Sequence, residues 1–398
     1  MDRSYWRTVS LVTTWQVAAS LCYYTVFAAT PFFRDAYGLS RFEVGFVVTI
    51  LTLGYTLFLL PLGALTDRFG ERWTLTLGLL GLSAGVVLVA GAPSFALLLV
   101  AVFVLGSLYG TAIPGTNKAV YDNITAGRQN LAMGIKQVGV TGGSGISALL
   151  VTGLAGLLFW QAGFLVAAGV GVAVAVVFVL YYTGSSAGAS ASYPDFRALG
   201  RNRPYRLLLA AGFFTGAALF TTTGYTVLFV DEELGASVAF GGIVLALVQL
   251  FGSFGRIVTG WLSDVLPGDP RRRIGSILLV QTLASAVLFV VVAATSSPWG
   301  AAVAFSALGF FVLGNTGVYY SCMATLVRTD EMGGATAGGQ LALTAGALVA
   351  PPAFGLLADT VGYRVSWWLL AAGCLVAASL VSLVLGLESP TNDPAMCE

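Results

Sequence analysis

The chain has 398 residues, of which 57% are hydrophobic and only 9% are Asp, Glu, Lys or Arg. A soluble domain carries about 25% charged residues, so a water-soluble globular protein is excluded, and a mean hydropathy of +0.87 makes lipid the solvent for most of the chain. With no histidine, a net charge of +1 and four scattered cysteines, imidazole chemistry, a zinc or disulfide framework and nucleic-acid binding by overall basicity are excluded too, and no metal or cofactor is expected.

A bilayer span needs roughly 20 apolar residues. Twelve such spans are expected in chain order, at about 9–31, 44–66, 73–91, 95–117, 131–155, 161–183, 205–230, 238–263, 274–296, 299–326, 334–358 and 363–387. No signal-peptide cleavage pattern precedes the first, which is therefore expected to stay as an anchor. Cationic residues set the orientation. With the N-terminus inside, 14 Arg and Lys residues fall in cytoplasmic segments and only Arg34, Arg41 and Arg364 outside. The expectation is a multi-pass plasma-membrane protein, a monomer in the lipid bilayer, with both termini cytoplasmic.

Between the sixth and seventh spans, residues 184–204 read GSSAGASASYPDFRALGRNRP. This small, polar, basic composition makes a flexible linker, dividing the chain into 1–183 and 205–398. The two parts repeat. At one offset of 197, Gly38-Leu39-Ser40 matches Gly235-Ala236-Ser237, Gly45 matches Gly242, and Gly63-Ala64-Leu65-Thr66-Asp67 matches Gly260-Trp261-Leu262-Ser263-Asp264. Repeated six-span halves are a transporter architecture, with substrate expected between them near the midplane.

The segment Gly63-Ala64-Leu65-Thr66-Asp67-Arg68-Phe69-Gly70-Glu71-Arg72 resembles the signature loop G-x-L-x-D-R-x-G-R-R/K of the major facilitator superfamily, between its second and third helices. Gly260 to Asp264, followed by Arg271-Arg272-Arg273, resembles the weaker second copy. The resemblance covers nearly the whole chain. It implies an all-α integral membrane fold of twelve transmembrane helices in two pseudo-symmetric six-helix bundles, working by alternating access. It also implies gating roles for Gly63, Asp67, Arg68, Gly70, Arg72, Gly260 and Asp264. The plainer reading of the arginines is that they hold loops inside.

Ionisable residues within a span cost at least ~2.5 kcal/mol on insertion scales and are functional candidates by default. Two stand out, Lys136 in the fifth span and Arg256 in the eighth. In the family's fold these helices flank one cleft, so the resemblance implies that both face one cavity. No Asp or Glu lies deep in a span. The cavity is therefore expected to be electropositive and its substrate a small anion, such as a carboxylate or an oxyanion. The competing readings are a snorkelling Lys136 and an Arg256 that braces helix ends. Tyr23, Tyr24, Tyr109, Asn117, Gln137, Asn315, Tyr319 and Gln340 supply polar groups within spans, as ligand contacts or as glue between helices. At the outer face, Arg34 and Asp231 end the first and seventh spans and are expected either to clasp the outer mouth or to stand as solvated helix ends.

The helix-8 arginine resembles that of nitrate, cyanate, oxalate/formate and monocarboxylate porters. Leu59 stands where nitrate porters carry a second arginine, and Gly252 where monocarboxylate transporters carry an Asp, so the resemblance implies a general organic-anion permease. A drug or metabolite efflux antiporter is the second reading, although the fifth span has Val138-Gly139-Val140 with no proline. A transporter-like sensor is the third. An enzyme is not expected: without His there is neither an H-E-x-x-H metalloprotease motif nor a Ser–His dyad, and no P-loop appears. Protons or a counter-anion are the expected coupling partners.

Overall fold

The computed structural model describes residues 3–125, 128–184, 199–328 and 331–387. They form α-helices and no strand. In the first half these are α1 (Arg3–Ala28), α2 (Thr30–Tyr37), α3 (Arg41–Phe69), α4 (Glu71–Ala90), α5 (Phe95–Tyr109), α6 (Ala112–Asn123), α7 (Gln129–Leu157) and α8 (Gln161–Tyr181). In the second they are α9 (Arg203–Glu232), α10 (Val238–Val265), α11 (Pro270–Ala294), α12 (Pro298–Val312), α13 (Asn315–Ala324), α14 (Met332–Thr360) and α15 (Tyr363–Gly386). The pairs α1/α2, α5/α6 and α12/α13 are each one broken span, giving twelve rods. Most of the expected 184–204 linker lies outside the described residues.

Eleven of the rods are long and apolar enough to cross a membrane by length and composition. The twelfth, α1, is as long but more polar. It can be so in part because some of its polar groups point inward and find partners. The Trp15 indole N–H donates to the Leu75 carbonyl at 2.9 Å, and Ser20 Oγ lies 3.0 Å from Tyr109 Oη.

Packing follows the sequence repeat. α1 lies against α7 as α9 lies against α14; α3 against α5 as α10 against α12; α4 against α8 as α11 against α15. Between halves, α3 meets α14 and α7 meets α10, the same pairing with the halves exchanged. The Gly-x-Ser repeat has a local cause. Gly38 and Gly235 both take left-handed backbone, φ +64° and +61°, which a side chain disfavours. Ser40 and Ser237 then cap the following helix by accepting from the N–H of Glu43 and Phe240, satisfying otherwise orphan donors. Each half thus enters its second span by the same tight corner. The face bearing Arg3, Gly386 and the Asp67 loop is called the terminal face below; the face bearing Gly38 and Gly235 is the far face.

Candidate functional site

A cavity of about 420 Å³ lies between the halves. Two helices line it with the same stripe. α7 contributes Gly134, Gln137, Val138 and Thr141, and α10 contributes Ser253, Arg256, Ile257 and Gly260. Both follow the i, i+3, i+4, i+7 spacing of one helix face. α1 adds Gln16, Tyr23 and Tyr24, α3 adds Tyr55, α5 adds Tyr109, and α13 and α14 add Thr316, Tyr320 and Gln340.

The two walls differ chemically. The first half presents a tyrosine cluster. The Tyr23 and Tyr109 rings stack with centroids 4.1 Å apart, and Tyr55 sits 5.6 Å from Tyr109. A polar chain holds Tyr109 from below: Thr116 Oγ1 donates to Gln16 Oε1 at 3.4 Å, Gln16 Nε2 donates to Ser20 Oγ at 3.2 Å, and Ser20 meets the Tyr109 hydroxyl. The second half presents Arg256, the only charged residue among those lining the cavity. Arg256 Nε donates to the Leu313 carbonyl at 3.0 Å, which fixes the guanidinium plane. Its Nη atoms have no protein partner among the described residues. Tyr24, Tyr109 and Tyr320 lie within electrostatic reach of it. Beside it the Tyr320 hydroxyl donates to Gln340 Oε1 at 2.7 Å. This wall offers two free donors in a fork suited to a carboxylate, opposite aromatic faces and hydroxyls.

Of the ten residues expected here, Tyr23, Tyr24, Tyr109, Gln137, Arg256 and Gln340 line the cavity, whereas Lys136, Asn117, Asn315 and Tyr319 do not. Lys136 Nζ instead donates to Asn117 Oδ1 at 2.6 Å, behind the wall. Depth along a helix can be counted from sequence, but one residue is a rotation of about 100°. That rotation puts Gln137 in the cavity and Lys136 outside it, and Tyr320 in the cavity and Tyr319 outside it. Asn315 and Tyr319 are buried, with Oδ1 and Oη unpartnered among the described residues. Gln16, Tyr55, Thr141, Ser253, Thr316 and Tyr320 were not anticipated. The stripe rule finds most of them: Gln16, Ser20, Tyr23 and Tyr24 share one face of α1, and Thr141 and Ser253 extend the stripes of Gln137 and Arg256.

The cavity is shut at the far face. Arg34 pairs with Glu232, not with Asp231 as expected from sequence. The helix runs on to Glu232, two residues past the expected end of the seventh span, and one residue is a rotation of about 100°. Glu232 also holds Arg41 Nε at 2.7 Å and accepts from the Tyr363 hydroxyl at 2.8 Å. Asp359 of α14 accepts from the backbone N–H groups of Arg41 and Phe42 at 3.1 and 2.9 Å. It thereby satisfies the open N-terminus of α3 from across the interface. The Tyr225 hydroxyl donates to the Arg41 and Pro351 carbonyls. Below this network, Gly45 presses on the Pro351 carbonyl and Gly242 on the Thr152 side chain, with no room for a Cβ at either.

The terminal face is different. Among the described residues no ion pair there joins the halves. Asp67 is half-buried, and Arg68 and Asp264 are exposed. Arg72 and Arg271 each turn back into their own half, donating to the carbonyls of Val179 and Val384, both at 2.7 Å. Gly63 faces Pro114 of its own half, Gly70 takes φ +82°, and Gly260 opens on the cavity.

The profile of the Major Facilitator Superfamily matches residues 14–338. The hexuronate transporter of Bacillus subtilis (strain 168) is 26% identical over 373 residues, 88% of this chain and 87% of that protein. The probable L-galactonate transporter of Escherichia coli (strain K12) is 23% identical over 390 residues, 91% of this chain and 84% of that one. Among solved structures, a bacterial homolog of the human lysosomal transporter Spinster, in an inward-facing and occupied conformation, has a TM-score of 0.81 at 16% identity, covering 96% of this chain and 97% of that one.

Proposed function

The chain belongs to the Major Facilitator Superfamily, and on that premise we propose that it carries a small organic anion, of the sugar-acid type, across the plasma membrane by alternating access. It is a membrane carrier rather than an enzyme. The observation that carries the substrate reading is Arg256: a lone cation on the cavity wall, with its Nη donors free. Its fork takes one carboxylate. The tyrosine and glutamine groups opposite suit a hydroxylated, partly apolar body, by stacking and by hydrogen bonds. A hexuronate and L-galactonate, after which a relative and a probable transporter among the relatives are named, have this chemistry. The efflux reading lacks support at the same site, because no acidic residue lines the cavity to attract a cationic drug.

The bias of arginines makes the terminal face cytoplasmic. The conformation described is then closed to the outside and open within. Residues 1–183 and 205–398 move as the two rocking units, with 184–204 as the link between them.

The test is binding and uptake of D-glucuronate and a panel of neutral sugars and cations by purified protein in proteoliposomes. The wild type should take up acids only. Arg256→Gln loses charge-assisted hydrogen bonds of about 1.5–3 kcal/mol, so affinity should fall roughly 10- to 150-fold, while the protein remains folded. Unchanged uptake by Arg256→Gln, or stabilisation by neutral or cationic compounds alone, would defeat the reading.

A further inference from the structure

Two seams join the halves, α3 against α14 and α7 against α10, and they are packed differently. In the first, Gly45 presses on the Pro351 carbonyl, and one turn further in Thr49 Oγ1 donates to the Leu348 carbonyl at 2.9 Å. The second is closed toward the far face by Gly242 on the Thr152 side chain, and at mid-membrane by a hydrogen bond between the Thr141 and Ser253 hydroxyls. From Thr141 to Thr152 is about 16 Å of helix. Between the two contacts lies a groove of about 370 Å³.

The groove prolongs the two stripes of the cavity. On α7 its wall is Gly142, Gly145, Ile146 and Leu149, at i, i+3, i+4, i+7; on α10 it includes Ile243, Leu247 and Leu250, at i, i+4, i+7. Thr141 and Ser253 line groove and cavity alike, so their hydrogen bond is a partition between the two. Beyond that pair the wall is apolar, and it opens on the bilayer side. Ile146, Leu149, Ile243 and Leu250 at its rim are 49%, 47%, 46% and 51% exposed. The glycines hold the space open. A Cβ on Gly142 would meet nothing within 4 Å, and one on Gly145 nothing closer than 3.7 Å, whereas Gly143 beside them presses on the Val17 carbonyl of α1.

The surroundings decide what fills such a space. Water finds too few partners: an apolar cavity of about 150 Å³ stays dry yet takes up a small hydrocarbon. The solvent at the rim is lipid. An unfilled groove forfeits dispersion contacts along both walls, and inside a membrane such packing, rather than exclusion of water, drives association. A narrow, flexible, apolar strand satisfies both walls, and its end would stop at the Thr141 and Ser253 hydroxyls. We propose that the groove binds one acyl chain of a bilayer lipid, from the leaflet next to the far face, and that this chain favours the conformer closed there. The two walls belong to different halves, so rocking changes the width of the groove. A chain that fits the present width shifts the equilibrium by its differential affinity for the two conformers. The site goes beyond the organic-anion reading and does not depend on which solute the cavity carries.

The test uses the full chain in phosphatidylcholine vesicles that contain a phosphatidylcholine with a photoreactive diazirine near the end of one acyl chain. Adducts are mapped by mass spectrometry. In the wild type they should concentrate on residues 141–149 and 243–253, above the level on the lipid-facing residues of α8, such as Leu165, Val166 and Val172. Gly142→Leu with Gly145→Leu fills the groove. It should abolish that excess and leave the α8 adducts unchanged. A wild-type map no denser in the groove than on α8, or an excess that survives the filled groove, overturns the proposal.

A second measurement needs no filled variant to fold. Ala246 lines the groove and Leu219 the cavity. On a background with Cys397 replaced by Ser, Ala246→Cys should resist an aqueous maleimide that modifies Leu219→Cys. Equal modification of both means that water fills the groove, and overturns the proposal. For the conformer, the filled variant carries a permanent occupant, so labelling of Leu219→Cys from the far side should not exceed that in the unfilled protein. Faster labelling overturns the preference assigned to the chain.

Discussion

The two ends of the molecule are built from the same duplicated sequence and differ in what joins the halves there. The far end joins the halves by close contact of Gly45 with the Pro351 backbone and of Gly242 with the Thr152 side chain, by Asp359 capping α3 across the interface, and by a carboxylate, Glu232, shared among Arg34, Arg41 and Tyr363. The terminal end is richer in charge, but Arg72 and Arg271 bond within their own halves and Arg68 and Asp264 face outward. Abundance of charge therefore says little about which mouth is shut. What differs is the kind of contact. The far seal is short-range packing, which is either formed or not. Arg68 and Asp264 at the terminal face are exposed, where ion pairs are screened and worth little. A carrier with one tight seal and one loose latch has its equilibrium set mostly at the tight end.

The largest break in this comparison is expected from Gly45→Ala. The new Cβ would lie on the Pro351 backbone carbonyl, and neither partner is a flexible side chain that can swing away. Overpacking of this kind costs about 1–3 kcal/mol, charged entirely to the conformer closed at the far face. The population should shift roughly 5- to 150-fold toward the conformer open there. Labelling of Leu219→Cys in the cavity by an impermeant maleimide reads this, with Cys397 replaced by Ser; Cys22, Cys322 and Cys374 are buried. Gly242→Ala, against Thr152, should act in the same direction.

Much of this was open to reading from the chain alone. Twelve spans, the halves and the 197-residue offset follow from hydropathy and repeated short motifs, because lipid forces every backbone group into a helix. Arg256 is legible because a lone cation in a span has few places to go. Azimuth is not legible from depth: Lys136 and Gln137 differ by one residue and end on different sides of the cavity wall. Nor is the partner of a long side chain at a helix end, where Arg34 reaches Glu232 past Asp231. The matching of Gly45 with Gly242 was visible as a repeat. That each presses on the other half required the packing of α3 on α14 and of α7 on α10.

Glu232→Gln tests the charged part of the far seal. It keeps the shape and removes the charge that holds Arg34 and Arg41. With the Glu232 side chain 13% exposed and the arginines 32% and 25%, partial solvation puts the loss near the low end for charge-assisted bonds, about 1.5 kcal/mol. Cavity labelling from the far side should rise roughly tenfold, less than for Gly45→Ala. Gly235→Ala is the control for stability without a change of conformer. Its left-handed backbone and open surroundings predict about 1–2 kcal/mol of strain in either conformer. The melting temperature should fall while labelling stays unchanged.

The smallest effect, and the one with the opposite sign, belongs to Asp67→Asn and Asp264→Asn. Neither carboxylate has an ion-pair partner across the halves in the conformation described, so neutralising it removes nothing here. Any attraction it supplies belongs to the conformer in which the terminal face closes and these groups meet the arginines of the other half. Its loss should favour the present conformer, lowering far-side labelling of Leu219→Cys where Glu232→Gln raises it. Exposed pairs contribute less than about 1 kcal/mol, so the change should be no more than about fivefold, and high salt should bring the wild type toward the variants. If Asp67→Asn raises far-side labelling instead, the carboxylate is supporting the open terminal mouth rather than latching it, and the tight-seal, loose-latch contrast between the two ends is wrong.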